Sequence, residues 1–291
     1  MAGRRQGAGT SRPHAAPAQL TVGAHTLGGV RFVKGHGTAN DFVLLPPGEG
    51  PDELSPDLIR TLCDRRAGIG ADGVLRVVRS LDAGDVRWFM DYRNADGSIA
   101  EMCGNGIRVF ARYLVDAGYE EPGRLRIDTR AGVKDVDVPA TGDVTVGMGV
   151  AERLPDAKVV LGAGAHEALG WSMGNPHLVV LDVDDLDVID FTADPVVDPA
   201  DAYPDGVNVE VVHRVGDTHI AMRVHERGVG ETMSCGTGAC AAAVAAMDVA
   251  GRRTSYDVDV PGGRLVVDWR PEGEVRLTGP AVLVAEGSVL G

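Results

Sequence analysis

Lysine is scarce in this chain. Among 28 basic residues only Lys34, Lys134 and Lys158 are lysines, and none sits in a recognisable pyridoxal-phosphate setting. Chemistry that needs a Schiff-base lysine is therefore not expected. Cysteine is scarce too: Cys63, Cys103, Cys235 and Cys240 are too few for a disulfide scaffold in 291 residues. The thiols are expected to be free, in a reducing, cytoplasmic setting. There is no C-x-x-C and neither Cys103 nor Cys235 has a ligand-type neighbour at metal spacing, so neither a metal nor another cofactor is expected. No apolar run approaches the roughly 20 residues of a membrane-spanning helix. Arg4 and Arg5 are not followed by an apolar stretch, which argues against a secretory signal. Positive charge is short overall: 28 Lys and Arg face 42 Asp and Glu, a net −14, which argues against nucleic acid or an acidic membrane as partner. A small-molecule substrate is the reading left.

What the chain does have is 44% apolar residues, enough for one large or two medium cores. Residues 1–29 are rich in Gly, Ala, Pro, Ser and Arg without periodicity and read as a disordered extension. "SPDLIRTLCDRRAG" predicts a helix with Ser55 as N-cap, Pro56 at its first position and Gly68 as its stop. Alternating apolar residues predict strands at 86–92, 124–129, 219–224, 264–269 and 275–278. After Cys103, Ile107, Phe110, Ala111 and Leu114 keep helical spacing, and "ACAAAVAAM" (239–247) is small and apolar on every side. A helix without a polar face must be surrounded by protein.

Those two helices belong to a wider repeat. Shifting the sequence by 132 puts Cys103 on Cys235, Gly104 on Gly236, Gly106 on Gly238, Met90 on Met222, Asn94 on Glu226 and Asp116 on Asp248. A shift of 135 puts Asn40 on Asn175, and one of 133 puts "ADGVL" on "PDGVN". The chain reads as an internal duplication: two pseudo-symmetric α/β lobes, each presenting one Cys at a helix N-terminus. A pseudo-twofold axis would bring the two sulfurs face to face across a cleft. Cys63 and Cys240 read as buried filler. For Cys103 and Cys235, helix N-terminal amides would lower the thiol pKa, and the flanking glycines would open those amides to a carboxylate. A redox dithiol would need the lobes to close, a zinc site lacks ligand-type neighbours at metal spacing, and the third chemistry is two-base proton transfer. The last explains best why the machinery is duplicated: one thiolate removes a proton from a stereocentre while the opposite thiol delivers one to the other face.

The motifs "KGHGTANDF", "GIGADG", "RNADGSIAEMCGNGIR", "GNPH", "DGVNV" and "HERGVGETMSCGTGACA", in this order, resemble the diaminopimelate epimerase family from about Phe32 to the C-terminus. The resemblance implies interconversion of LL- and meso-diaminopimelate without pyridoxal phosphate, in lysine and peptidoglycan precursor synthesis. It implies an α/β fold of two strand-rich barrels, each around a central helix. One lobe would span 30–147 plus 281–291, the other 148–280, and the enzyme would be a homodimer. By motif, Cys103 and Cys235 would be the acid/base pair, with His177 and Glu226 tuning them or relaying protons. The N–H groups of Gly104, Asn105, Gly236 and Thr237 would hold the reacting carboxylate. Asn40, Asn94, Asn175, Asn208, Glu226 and Arg227 would bind the rest of the substrate. Gly73 stands where some members have Gln, and His225 where a Tyr is common, which puts fine substrate contacts in doubt. Proline racemase and hydroxyproline epimerase share the fold but typically show Cys-Gly-His at the first thiol, so "CGNG" favours diaminopimelate. A non-catalytic amino-acid binder or a thiol redox protein is the alternative from another class.

Overall fold

The computed structural model describes residues 21–22, 25–26, 28–51, 53–81, 84–162 and 164–290. Most of the expected N-terminal extension, residues 1–20, lies outside them. Thr21–Val22 and His25–Thr26 pair antiparallel in a small sheet of their own. Regular backbone thus starts earlier than the Gly- and Pro-rich composition indicated, at a point where β-branched residues favour extension.

Three helices occur among the described residues: α1 (Pro56–Cys63), α2 (Gly104–Asp116) and α3 (Gly236–Val249). Ser55 caps α1 as expected, accepting from the Leu58 N–H at 3.3 Å. The helix stops five residues before Gly68, however. The Asp64 carboxylate turns back to accept from the N–H groups of Arg66 and Ala67, at 2.7 and 2.6 Å. An Asp doing this competes with the helix for its own backbone, so it ends the helix where a glycine was expected to. Gly68 is needed for another reason: a Cβ there would lie 2.0 Å from the Thr61 carbonyl oxygen.

The predicted faces of α2 and α3 hold. Ile107, Phe110, Ala111 and Leu114 are fully buried, and so is every residue from Ala239 to Met247. Each helix runs through the middle of its own set of strands. α2 packs against strands 31–37, 40–45, 73–79, 88–94, 134–138, 144–150 and 282–288. α3 packs against 164–172, 176–180, 208–216, 219–226, 255–260, 263–269 and 274–279. The alanine-rich surface of α3 lets strands close in from every side. Larger residues there would overpack, at about 1–3 kcal/mol each.

The duplication is visible in the hydrogen-bond ladders. In the first half, 31–37 pairs antiparallel with 40–45, which pairs parallel with 73–79, then antiparallel with 88–94. The ladder continues parallel to 123–128, antiparallel to 134–138 and antiparallel to 144–150. The second half repeats the same senses in order through 164–172, 176–180, 208–216, 219–226, 255–260, 263–269 and 274–279. Registers repeat too: Phe42 faces Gly73 as His177 faces Asn208, each 135 residues later. The final strands of the two halves, 144–150 and 274–279, then pair with each other, with Val146 opposite Leu277. Val136 faces Val146 and Val267 faces Leu277, so these two residues are equivalents and the pseudo-twofold axis passes between them. Strand 282–288 returns to pair with 31–37.

Candidate active site

The axis continues from Leu277 to the start of both central helices. A Cβ on Gly236 would lie 3.2 Å from the Cα of Gly104 and 3.2 Å from Leu277 Cδ2. A Cβ on Gly104 would lie 3.2 Å from that same Cδ2. The two helix N-termini therefore meet at glycines, and a side chain on either would force its neighbours to give by a few tenths of an ångström. Cys103 and Cys235 are the N-caps, both extended, with φ −141° and −114°. First-turn N–H groups have no partner within their own helix, and each helix end carries a partial positive charge. Two such ends converging on one point make a place for an anion.

Both cysteines border one cavity of about 1260 Å³ between the halves. Asn40, Asn94, Gly104, Asn105, Asn175, Glu226, Arg227, Gly236 and Thr237 border it as well. Two of the residues singled out in the sequence do not. His177 is fully buried behind the wall, with Nδ1 2.7 Å from Glu210 Oε1 and Nε2 3.1 Å from Asn175 Oδ1. Asn208 is buried and accepts the Arg227 N–H at 2.9 Å, so it shapes the turn that carries Arg227. The Arg227 side chain donates to the Asp205 carbonyl oxygen at 2.9 Å.

The thiols are not in the state the helix ends alone would produce. Burial pushes Cys103 up to about 11, although N–H groups of Gly106 and Asn105 pull the other way. Burial, then the charges of Glu226 and Glu210, raise Cys235 well above an ordinary thiol. Burial also raises Glu226, which hydrogen bonds from Thr232 and Cys235 partly oppose. For thiols buried beside carboxylates, desolvation outweighs the helix dipole. The physical consequence is that the thiols keep their protons until charge rearrangement in the cleft offsets the cost.

Several residues that hold the cleft together were missed in the sequence. Asn105 uses its side chain as well as its backbone: Nδ2 donates to the Ser234 carbonyl oxygen at 3.1 Å and to Asn40 Oδ1 at 3.3 Å. Asn40 Oδ1 also accepts from Cys103 Sγ at 3.6 Å. Thr38 Oγ1 lies 2.7 Å from Ser234 Oγ. The residue before Cys235 is thus tied to the first turn of α2 and to the turn at Thr38. Behind Asn105, the fully buried Arg108 donates to Asn105 Oδ1 and to the Gly104 carbonyl oxygen, both at 3.0 Å. The sequence hides Arg108, because with Arg112 and Asp116 it repeats every four residues and reads as one polar stripe of the helix. Arg65 and Asp72 border the cavity too, joined at 2.7 Å, with Asp72 accepting from Asn40 Nδ2 at 2.9 Å.

The two departures resolve differently. A Cβ on Gly73 would lie 2.6 Å from the Arg93 carbonyl oxygen and 2.7 Å from Tyr92 Cε2, so Tyr92, which borders the cavity, takes the space a larger residue would need. His225 does not border the main cavity. It is buried against Phe191, with Nε2 3.3 Å from Asp194.

A profile for diaminopimelate epimerase matches residues 32–154 and 171–284, both halves of the repeat and both cysteines. The chain belongs to the diaminopimelate epimerase family. The diaminopimelate epimerase of Streptomyces coelicolor is 56% identical over 275 residues, covering 89% of this chain and 94% of the relative. That of Acidothermus cellulolyticus is 48% identical, covering 89% and 95%. Solved structures extend the likeness at the level of fold. A PhzF-family phenazine biosynthesis protein of Bacillus anthracis superposes with a TM-score of 0.67 at 17% identity, over 90% of this chain and 99% of that one. A hydroxyproline epimerase of Agrobacterium vitis gives 0.63 at 15%, over 89% and 92%. Diaminopimelate epimerase family membership makes the chain an amino-acid isomerase, and the proline-type alternative is not favoured.

Proposed function

We propose that this chain interconverts LL- and meso-2,6-diaminopimelate by proton exchange between two thiols, without a cofactor. The observation that carries this reading is the meeting of two Cys-capped helix N-termini at Gly104 and Gly236, within one cavity. The substrate carboxylate lies across the N–H groups of Gly104, Asn105, Gly236 and Thr237. One cysteine, as thiolate, takes the α-proton. The electron pair left behind spreads into the carboxylate, where those N–H groups stabilise it. The opposite thiol delivers its proton to the other face, so the configuration inverts and the two sulfurs exchange protonation states. Arg227, whose planar fork suits a carboxylate, binds the distal end with Asn40, Asn94, Asn175 and Glu226. His177 and Asn208 act from behind the wall.

We take 30–147 with 281–291 as one lobe and 148–280 as the other, supported by the return of strand 282–288 to 31–37. Four free cysteines, two of which must stay reduced to react, favour a cytoplasmic location. A homodimer is the expected assembly, as for the family.

Purified protein given LL-diaminopimelate should form the meso isomer, seen by chiral chromatography. Activity should survive EDTA dialysis and hydroxylamine treatment. Lys34 is engaged by Asp41 and Lys158 by Glu167, which leaves Lys134 as the lysine that borders the cavity. Loss of activity that pyridoxal phosphate or a metal restores would refute the cofactor-free reading.

A further inference from the structure

The internal duplication supplies its own control for one buried pair. Beneath the first turn of α3, His177 and Glu210 lie side by side, both fully buried. The parallel ladder pairs His177 with Asn208 and Val179 with Glu210; in the other half it pairs Phe42 with Gly73 and Leu44 with Leu75. Phe42 and Leu75 are thus the structural equivalents of His177 and Glu210, and they too are fully buried. They occupy the same place against the helix. A Cβ on Gly106 would lie 3.3 Å from Leu75 Cδ2, 3.4 Å from Phe42 Cζ and 3.4 Å from Cys103 Cβ. A Cβ on Gly238 would lie 2.5 Å from Glu210 Oε1 and 3.3 Å from Cys235 Cβ. One half of the fold therefore packs this site with Phe and Leu, while the other fills it with an acid and an imidazole. Packing does not require the polar pair.

The polar pair is not fully satisfied either. Glu210 Oε2 has no hydrogen-bond partner among the described residues. The His177 ring bridges the two sides, with Nε2 3.1 Å from Asn175 Oδ1 at the cavity wall and Nδ1 2.7 Å from Glu210 Oε1. The ionisable groups that share this corner are Cys235 and Glu226.

We propose that Glu210 is a positioning residue for the Cys235 half-site: it fixes the His177 ring towards Asn175 and sets a charge beneath one thiol that the other thiol lacks. The inference rests on the two-thiol reading above and adds that the two half-sites are built unequal. A carboxylate under the start of α3 competes with the Cys235 thiolate for the same positive helix end. Cys235 therefore holds its proton more firmly than it would over an apolar pair. In Cys103 the corresponding place is apolar, and Arg108 lies behind it.

The test uses Glu210→Gln, which keeps the shape, and the double variant His177→Phe with Glu210→Leu, which imports the pair of the other half. In Glu210→Gln, iodoacetamide should label Cys235 at least about threefold faster at pH 8, with Cys103 changed by less than about twofold. In both variants kcat/KM should fall by about tenfold or more in each direction, with Tm lowered by no more than a few degrees. The double variant is the one expected to fold well, and it decides alone if Glu210→Gln does not. Parental kcat/KM in the folded double variant would overturn the proposal, as would labelling of both cysteines changed to the same extent. Cys103→Ala and Cys235→Ala serve as controls. If both are inactive while the Glu210 variants are fully active, only this inference fails; if a Cys variant is active, the two-thiol reading fails first.

Discussion

Replacing either Cys103 or Cys235 with Ala is expected to lower kcat/KM for epimerisation by about four orders of magnitude. A methyl group neither accepts nor donates the α-proton, and inversion needs a group on each face. The loss should be equal in both directions, because the acid of one direction is the base of the other. Binding should survive: the amides of Gly104, Asn105, Gly236 and Thr237 belong to the backbone and do not depend on the sulfur. The substrate Kd, read by titration calorimetry in the inactive variants, should stay within about tenfold of the parent. The expected stability change is small for Cys103, which is partly exposed, since little packing is lost. Near-parental turnover in either variant would remove that thiol from the mechanism.

The second large effect is expected at a residue that does not itself border the cavity. Gly262 sits in the turn between strands 255–260 and 263–269, donating its N–H to the Met233 carbonyl oxygen at 2.9 Å. A Cβ on Gly262 would lie 1.9 Å from the Thr38 carbonyl oxygen and 2.6 Å from the Thr38 carbonyl carbon. These are backbone atoms, and Thr38 and Ala39 already hold positive φ values of 49° and 61°. The loop has little freedom left to yield. Gly262→Ala should therefore push the Thr38 turn away from Ser234 and spread the two helix starts. About 2–4 kcal/mol of stability should be lost, lowering Tm by roughly 5–10 °C. Because a misplacement near 1 Å can cost on the order of a hundredfold in rate, kcat/KM should fall by about that factor even at temperatures where the variant is folded. Gly216→Ala, whose Cβ would meet nothing closer than His219 Cβ at 3.8 Å, is the comparison. Equal Tm and kcat/KM for the two variants would contradict the described contact between the halves.

The repeat in the sequence carried most of the architecture. The offsets that align Cys103 with Cys235 and Asn40 with Asn175 reappear as matching ladder registers, because a duplicated strand order keeps its pairing. The alanine-rich run of α3 and the spaced apolar residues of α2 were legible, since burial on all faces leaves an unbroken apolar run and burial on one face a periodic trace. Glu210 left none. In "NVEVV" it alternates with valines and reads as the solvent face of a strand, yet residues 208–212 are buried on both sides. Only the three-dimensional neighbour, His177, explains an acid there. The second role of Asn105 was equally hidden, because its partner Ser234 lies 129 residues away. The thiols were misjudged for a physical reason: a helix end is visible in the sequence, but the burial that outweighs it is not.

The most direct test of the two-thiol account follows the hydrogen. In deuterated water, with LL-diaminopimelate as substrate and conversion kept low, mass spectrometry reads the α-position of both product and recovered substrate. Two thiols on opposite faces predict meso product carrying one solvent deuterium from the first turnovers, and recovered LL substrate carrying almost none. Early meso product that keeps its original hydrogen would contradict the account, because one base would then be serving both faces.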